Sequence, residues 1–199
     1  MARGLVRAGL AALALALAMP AAAQFSDSYN FIKAVRDRDF AKARDILDKP
    51  GSTTIDIKDR DSGETALHIV TRRRDVPWLT YLLQRKADAN QRDRNGDTPL
   101  ILAASSGFSE GVVLLLAGGA QVDLPNTRGE TALMRAVHNR DVPSVRALLD
   151  AGADPDRADN LAGRSAREYA AEDPRSGQVG RMLAEAPKKK AGRAVGPTL

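Results

Sequence analysis

Gly96-Asp97-Thr98-Pro99-Leu100-Ile101 has a near copy on each side, Gly63-Glu64-Thr65-Ala66-Leu67-His68 before it and Gly129-Glu130-Thr131-Ala132-Leu133-Met134 after it. The glycines stand 33 residues apart both times, and a fainter copy, Gly163-Arg164-Ser165-Ala166, follows after 34. Further landmarks keep phase with them. Leu82-Leu83, Leu115-Leu116, Leu148-Leu149 and Met182-Leu183 recur at the same steps, as do Ala87, Ala120 and Ala153, and Asn90, Asp123 and Asp156. A fixed period of this length is the signature of stacked modules.

One period can be read physically. Asp93-Arg94-Asn95-Gly96 is turn chemistry, with Asn-Gly tolerating a positive φ. Thr98 opens a helix and Pro99 fits its first turn, where a missing N–H costs nothing. Leu100, Ala103 and Ala104 form an apolar stripe at helical spacing. Gly107 ends that helix, and Ser109 is the expected cap of the next. Val112, Val113, Leu115 and Leu116 supply the buried side of this second helix, which Gly118-Gly119 closes. In the flanking copies, Asp75-Val76-Pro77 and Asp141-Val142-Pro143 each pair an Asp cap with an early proline.

These features resemble the ankyrin repeat, with its 33-residue period and Thr-Pro-Leu-His opening. The resemblance runs from Tyr29 to about Ala186. It implies an all-α solenoid of about five helix-turn-helix repeats joined by β-turn or hairpin-like loops. The expected repeats are 29–58, 59–92, 93–125, 126–158 and 159–186, within a domain of 24–186. The first copy lacks the Gly-x-Thr opening and has a longer exit around Pro50-Gly51-Ser52. The last places Arg167 where the others have leucine. Both departures suit end caps, whose outer faces meet water. Trp78 is the one large aromatic in the second-helix row, with Gly111 and Ser144 at its place in the next two copies. We expect it to fill the space that Gly111 leaves.

The N-terminus reads as an export signal. Arg3 and Arg7 precede an apolar run from Ala8 to Ala18, and Ala21-x-Ala23 sets small residues before a cut at Gln24. The run is shorter than the about 20 residues a membrane-spanning helix needs. Residues 1–23 are therefore expected to be a cleaved signal peptide, with an uncleaved anchor as the alternative. The expected location is periplasmic, or else secreted, with no stable membrane insertion. The chain contains no cysteine, which excludes disulfides and thiolate metal sites.

The formal net charge of +5 invites a nucleic-acid reading that its distribution removes. Of 30 basic residues, Arg3, Arg7, Lys188, Lys189, Lys190 and Arg193 lie outside 24–183; of 25 acidic ones, only Glu185 does, leaving 24 of each inside. Residues 187–199 read as a disordered basic tail, either simply solvated or weakly tethered to an anionic surface.

No catalytic constellation emerges. His68, in the Thr-x-Leu-His slot, is given a structural hydrogen-bonding role between repeats by the resemblance. His138 falls in a different slot, so the two histidines suggest neither a zinc site nor a Ser-His-Asp triad. Counting from Asp88, position 6 is Asp93 and position 12 is Pro99, which fails the calcium-loop pattern. The expectation is a non-enzymatic monomer without cofactor that binds a protein partner. The resemblance puts the partner surface on the concave side, at the turn tips and at positions 13 and 14 of each repeat. Those residues are Asp61, Ser62, Glu64, Arg94, Asn95, Asp97, Thr127, Arg128 and Glu130, with Arg72, Arg73, Ser105, Ser106, His138 and Asn139. Their mixed charge suits a folded protein better than a polyanion, which needs a continuous basic strip.

Overall fold

The computed structural model describes residues 21–188, with side chains from residue 27 onward. The expected signal region up to residue 20 and the tail beyond residue 188 lie outside the described residues.

Ten α-helices follow one another in pairs: α1 (Ala21–Asp37) and α2 (Phe40–Leu47), α3 (Ala66–Arg72) and α4 (Val76–Gln84), α5 (Pro99–Ser105) and α6 (Ser109–Ala117), α7 (Ala132–His138) and α8 (Val142–Asp150), α9 (Ala166–Glu172) and α10 (Gly177–Glu185). A single 3-10 turn, Thr54–Asp56, follows the first pair, and no strand forms among the described residues. The first helices stack in one row, with α3 between α1 and α5, and α7 between α5 and α9. The second helices stack behind them, with α6 between α4 and α8. Five helix pairs joined by turns make the expected solenoid.

The caps show why each short helix starts where it does. Thr98 accepts from Ile101 N at 3.3 Å and Thr131 from Met134 N at 3.4 Å. Ser165 forms a reciprocal box, its N–H donating to Glu168 at 2.7 Å. Asp75 and Asp141 cap the second helices as expected, accepting from Trp78 and Ser144, and Asp39 does the same for α2 by accepting from Lys42. In the middle repeat the cap position belongs to Phe108, and Ser109 is instead the first residue of α6. Ser109 does not cap; its hydroxyl donates to both oxygens of Asp141 at 3.1 Å, tying one second helix to the next.

Packing corrects one detail of the aromatic reading. Trp78 is buried at 6% exposure, as expected, but its ring lies edge-on to Phe40 at 5.1 Å and Tyr81 at 6.4 Å. The space above Gly111 is taken by Phe108, whose ring sits where a Cβ on that glycine would fall. An aromatic at the cap position folds back over its own helix, and a glycine three residues on makes room for it.

The core is one continuous file of small and medium residues, Leu67, Leu100 and Leu133 in the first helices and Leu82, Leu115, Leu148 and Leu183 in the second. Each belongs to a repeat that cannot bury both faces alone, so the array is stabilised by its neighbours. At the C-terminal end, Arg167 replaces the leucine and closes the file differently. It pairs with Asp156 at 2.7 Å and donates to the carbonyls of Leu183 and Ala186, capping α10.

Candidate functional site

The turns that open each repeat are built on a series absent from the sequence landmarks: Asp59, Asp93, Asn126 and Asp159. One oxygen of each accepts from backbone N–H groups of its own turn, such as Asn95 and Asp97 for Asp93, and Arg128 and Glu130 for Asn126. The turns then join into a ladder. Arg94 N donates to Ser62 O at 3.2 Å, Thr127 N to Asn95 O at 3.2 Å and Asn160 N to Arg128 O at 2.8 Å. A Cβ on Gly63, Gly96 or Gly129 would stand 2.9, 2.8 or 2.7 Å from that incoming nitrogen. These glycines are required twice, for positive φ and for close approach of the next turn.

His68 locks two repeats together from below. Thr65 N donates to its Nδ1 at 3.2 Å, which leaves the proton on Nε2 to donate to Asp97 O at 3.0 Å. Burial pushes the imidazole below its ordinary pKa, against the pull of that carbonyl. The structural role expected of His68 is the one observed.

The candidate residues lie on the turns and at the ends of the first helices, and they divide by task. Asp61 and Ser62 belong to the first turn, where Ser62 donates to Asp59 at 3.0 Å. Asn95 and Thr127 join adjacent turns, the Thr127 hydroxyl donating to Asn95 O at 2.7 Å. Arg94 reaches back to the Arg60 carbonyl. Arg73 donates to the carbonyls of Val35 at 2.6 Å and Arg36 at 3.2 Å, and Asn139 donates to Ala104 and Ser105 at 2.8 Å. Both therefore satisfy the carbonyl end of the preceding first helix. Ser106 turns its hydroxyl to Ala103 O in its own helix.

Several charges of these residues are paired. Arg72 meets Glu64 at 2.5 Å. Near the centre, Glu130, 9% exposed, accepts from Asn126 at 2.9 Å, from Arg128 at 2.8 Å and from Arg135 at 3.3 Å. Burial pushes its pKa up, but Asn126, the two arginines and their charge outweigh this and hold it below the ordinary carboxylate value. Arg135 Nε continues to Ser105 Oγ at 2.9 Å, and Asn126 to Asp97 at 2.8 Å. At the far end the His138 ring lies 4.6 Å from Tyr169. The Tyr169 hydroxyl donates to Asp159, whose carboxylate pushes the phenol up to about 12. Arg164 meets Glu172 at 2.5 Å nearby.

Asn126, Arg135 and Tyr169 are the residues that sequence reasoning missed. Asn126 continued a readable series with Asp93 at 33 residues. Arg135 and Tyr169 share the place that Leu102 holds in the middle repeat, and only the coordinates show that this row faces the groove. Among the described residues no group of three His, Asp or Glu side chains is placed to hold a metal, and no helix is long and apolar enough to cross a membrane.

Paired helices stacked in two rows, on a ladder of turns with a 33-residue step, define the class of helical repeat proteins. The family model for ankyrin repeats matches residues 22–126 and 109–191, and the chain belongs to the ankyrin-repeat family. It is similar to the ankyrin repeat and KH domain-containing protein mask-1 of Caenorhabditis elegans, 40% identical over 86 residues, covering 43% of this chain and 3% of that protein. The B-cell lymphoma 3 protein homolog of Mus musculus is 35% identical over 111 residues, 55% of this chain and 25% of its own length. An ankyrin repeat protein of Rickettsia bellii is 36% identical over 108 residues, 51% of this chain and 31% of its own length. The chain thus spans less than a third of each of these relatives.

Proposed function

We propose that the chain is a non-catalytic module that binds a protein partner through its concave groove. Ankyrin repeats generally mediate protein–protein interaction, and that supports the class of function. The observation that carries the reading is the organisation of the groove itself. Its polar side chains are held by one another, Glu130 by three donors and Ser105 by Arg135, so the face is rigid before any partner arrives. A preorganised face loses less entropy on association. Its alternating charges, locally neutralised, favour a folded protein or peptide over nucleic acid.

The Arg3/Arg7, Ala8–Ala18 and Ala21-x-Ala23 pattern supports export to the periplasm, with secretion as the alternative. The test is in-cell crosslinking from the envelope fraction, comparing the native chain with Asn95→Trp, which sets a bulky ring on an exposed turn tip. Loss of the principal crosslinked protein with the thermal midpoint retained supports the groove. An unchanged crosslinking pattern rejects it.

A further inference from the structure

Among the four repeats with a turn glycine, one carboxylate beside that glycine lacks the ion pair its counterparts have. The residue after each turn glycine is charged: Glu64, Asp97, Glu130 and Arg164. Glu64 receives its cation from Arg72, eight residues on, and Arg164 meets Glu172 across the same interval. Glu130 receives a cation from Arg135, five residues on, and another from Arg128. Asp97 receives neither kind. Eight residues on stands Ser105, and five residues on stands Leu102.

The nearby cations are committed elsewhere. Arg94 is drawn to the Arg60 carbonyl on one side, and Arg128 to Glu130 on the other. Arg135 spans from Glu130 to Ser105. The Asp97 side chain accepts one bond, from the neutral amide of Asn126 at 2.8 Å on Oδ1, and no described cation lies within 4.0 Å of it. Leu102, Ser105 and Ser106 of the same repeat are all half-buried.

We infer that Asp97 is the specificity-determining residue of the groove, and that it receives a lysine or arginine side chain of the protein partner. The aliphatic stem lies along Leu102, and the charged head meets the Oδ2 atom, which accepts from no described group. Long basic side chains bury their stems on apolar surface while keeping the head on a polar group. A carboxylate answered by a cation across an interface selects partners more strongly than it adds affinity, because a like charge there is penalised. This inference rests on the groove reading above, and it names what that groove selects.

The test is selection of displayed random twelve-residue peptides on the immobilised chain. The native protein should enrich lysine or arginine at one fixed position of the binders. Asp97→Asn should lose that enrichment and bind the selected peptides about tenfold or more weakly. Ser105→Arg supplies in cis the cation that Arg72 gives Glu64, and it should remove the basic preference too. A thermal midpoint measured for each variant shows that the fold is kept. Native selections without a basic position, or a basic position that persists in both variants, overturn the inference. Binders indifferent to Asn95→Trp sink the groove reading itself. Binders lost with Asn95→Trp but carrying no basic residue leave the groove intact and remove only the role of Asp97.

Discussion

Glu64 and Arg72 form an ion pair at 2.5 Å, and Arg164 and Glu172 form the same pair with the charges exchanged, three repeats further on. The place is kept while its chemistry is reversed. In these two repeats the charge is neutralised across eight residues, from the turn to the end of the first helix, and either polarity does so.

A charge exchange in the first pair follows. Glu64→Arg alone and Arg72→Glu alone should each lower stability, and the double exchange should recover most of the loss. Arg72 is 59% exposed, so the coupling is expected at no more than about 1 kcal/mol. A double-mutant cycle by urea unfolding measures it, and 0.5 M salt should shrink it. A double variant less stable than either single one contradicts interchangeable polarity.

Glycine substitutions separate the two demands of the turn ladder. Gly129→Ala meets Asn160 N at 2.7 Å, whereas Gly163→Ala meets nothing within 4 Å, yet both glycines have positive φ. The second variant should cost about 1–2 kcal/mol for the left-handed conformation alone. The first should cost more, because the next turn must move away as well. Equal unfolding midpoints for the two variants would show that the approach between turns is not tight.

His68 should make stability fall on mild acidification. Its folded pKa is lowered by burial below the ordinary 6.5, so the unfolded chain binds a proton first. The contribution is complete above about 6.5 and is lost as pH falls toward the folded value, at up to about 1.4 kcal/mol per pH unit. The carboxylates held low by their donors, Asp59, Glu130 and Asp159, begin to lose theirs only further down, from ordinary values of 3.8 to 4.5. Denaturant titrations at pH 7 and pH 5 should therefore show a drop in the native chain and a smaller one in His68→Gln, which starts less stable. Equal drops in both chains assign the acid sensitivity elsewhere.

Thr71 is fully buried, and its hydroxyl has no hydrogen-bond partner. The equivalent residues in the next two repeats, Ala104 and Val137, are apolar. Thr71→Val keeps the shape and removes an unsatisfied group, so it should raise stability by about 1 kcal/mol. Loss of stability in a thermal melt would reveal a bond that the hydroxyl makes.

Much of the fold is legible in the periodicity, since a module that recurs every 33 residues with the same turn, cap and leucines has one way to bury its faces. Phe108 and Ser109 mark where local reading fails. Ser109 has the chemistry of a cap, but the phenylalanine before it takes that place because its ring fits over Gly111. The groove was legible as a set of positions but not as a set of bonds. Arg72 and Arg73 are neighbours in sequence, yet one reaches forward to Glu64 across the face and the other backward to close α1.

The sequence by itself determined the repeat, the number of helix pairs and most of their caps, because these depend on spacing along the chain. Only the tertiary structure decided which charges are spent. The pairing of Glu130 with Arg135 depends on the reach of the arginine, and those of Arg135 with Ser105 and of Asn126 with Asp97 also on the distance between adjacent repeats. Composition over residues 24–183 balances to zero, but balance in number is not pairing in space, and Asp97 is one carboxylate where the two part.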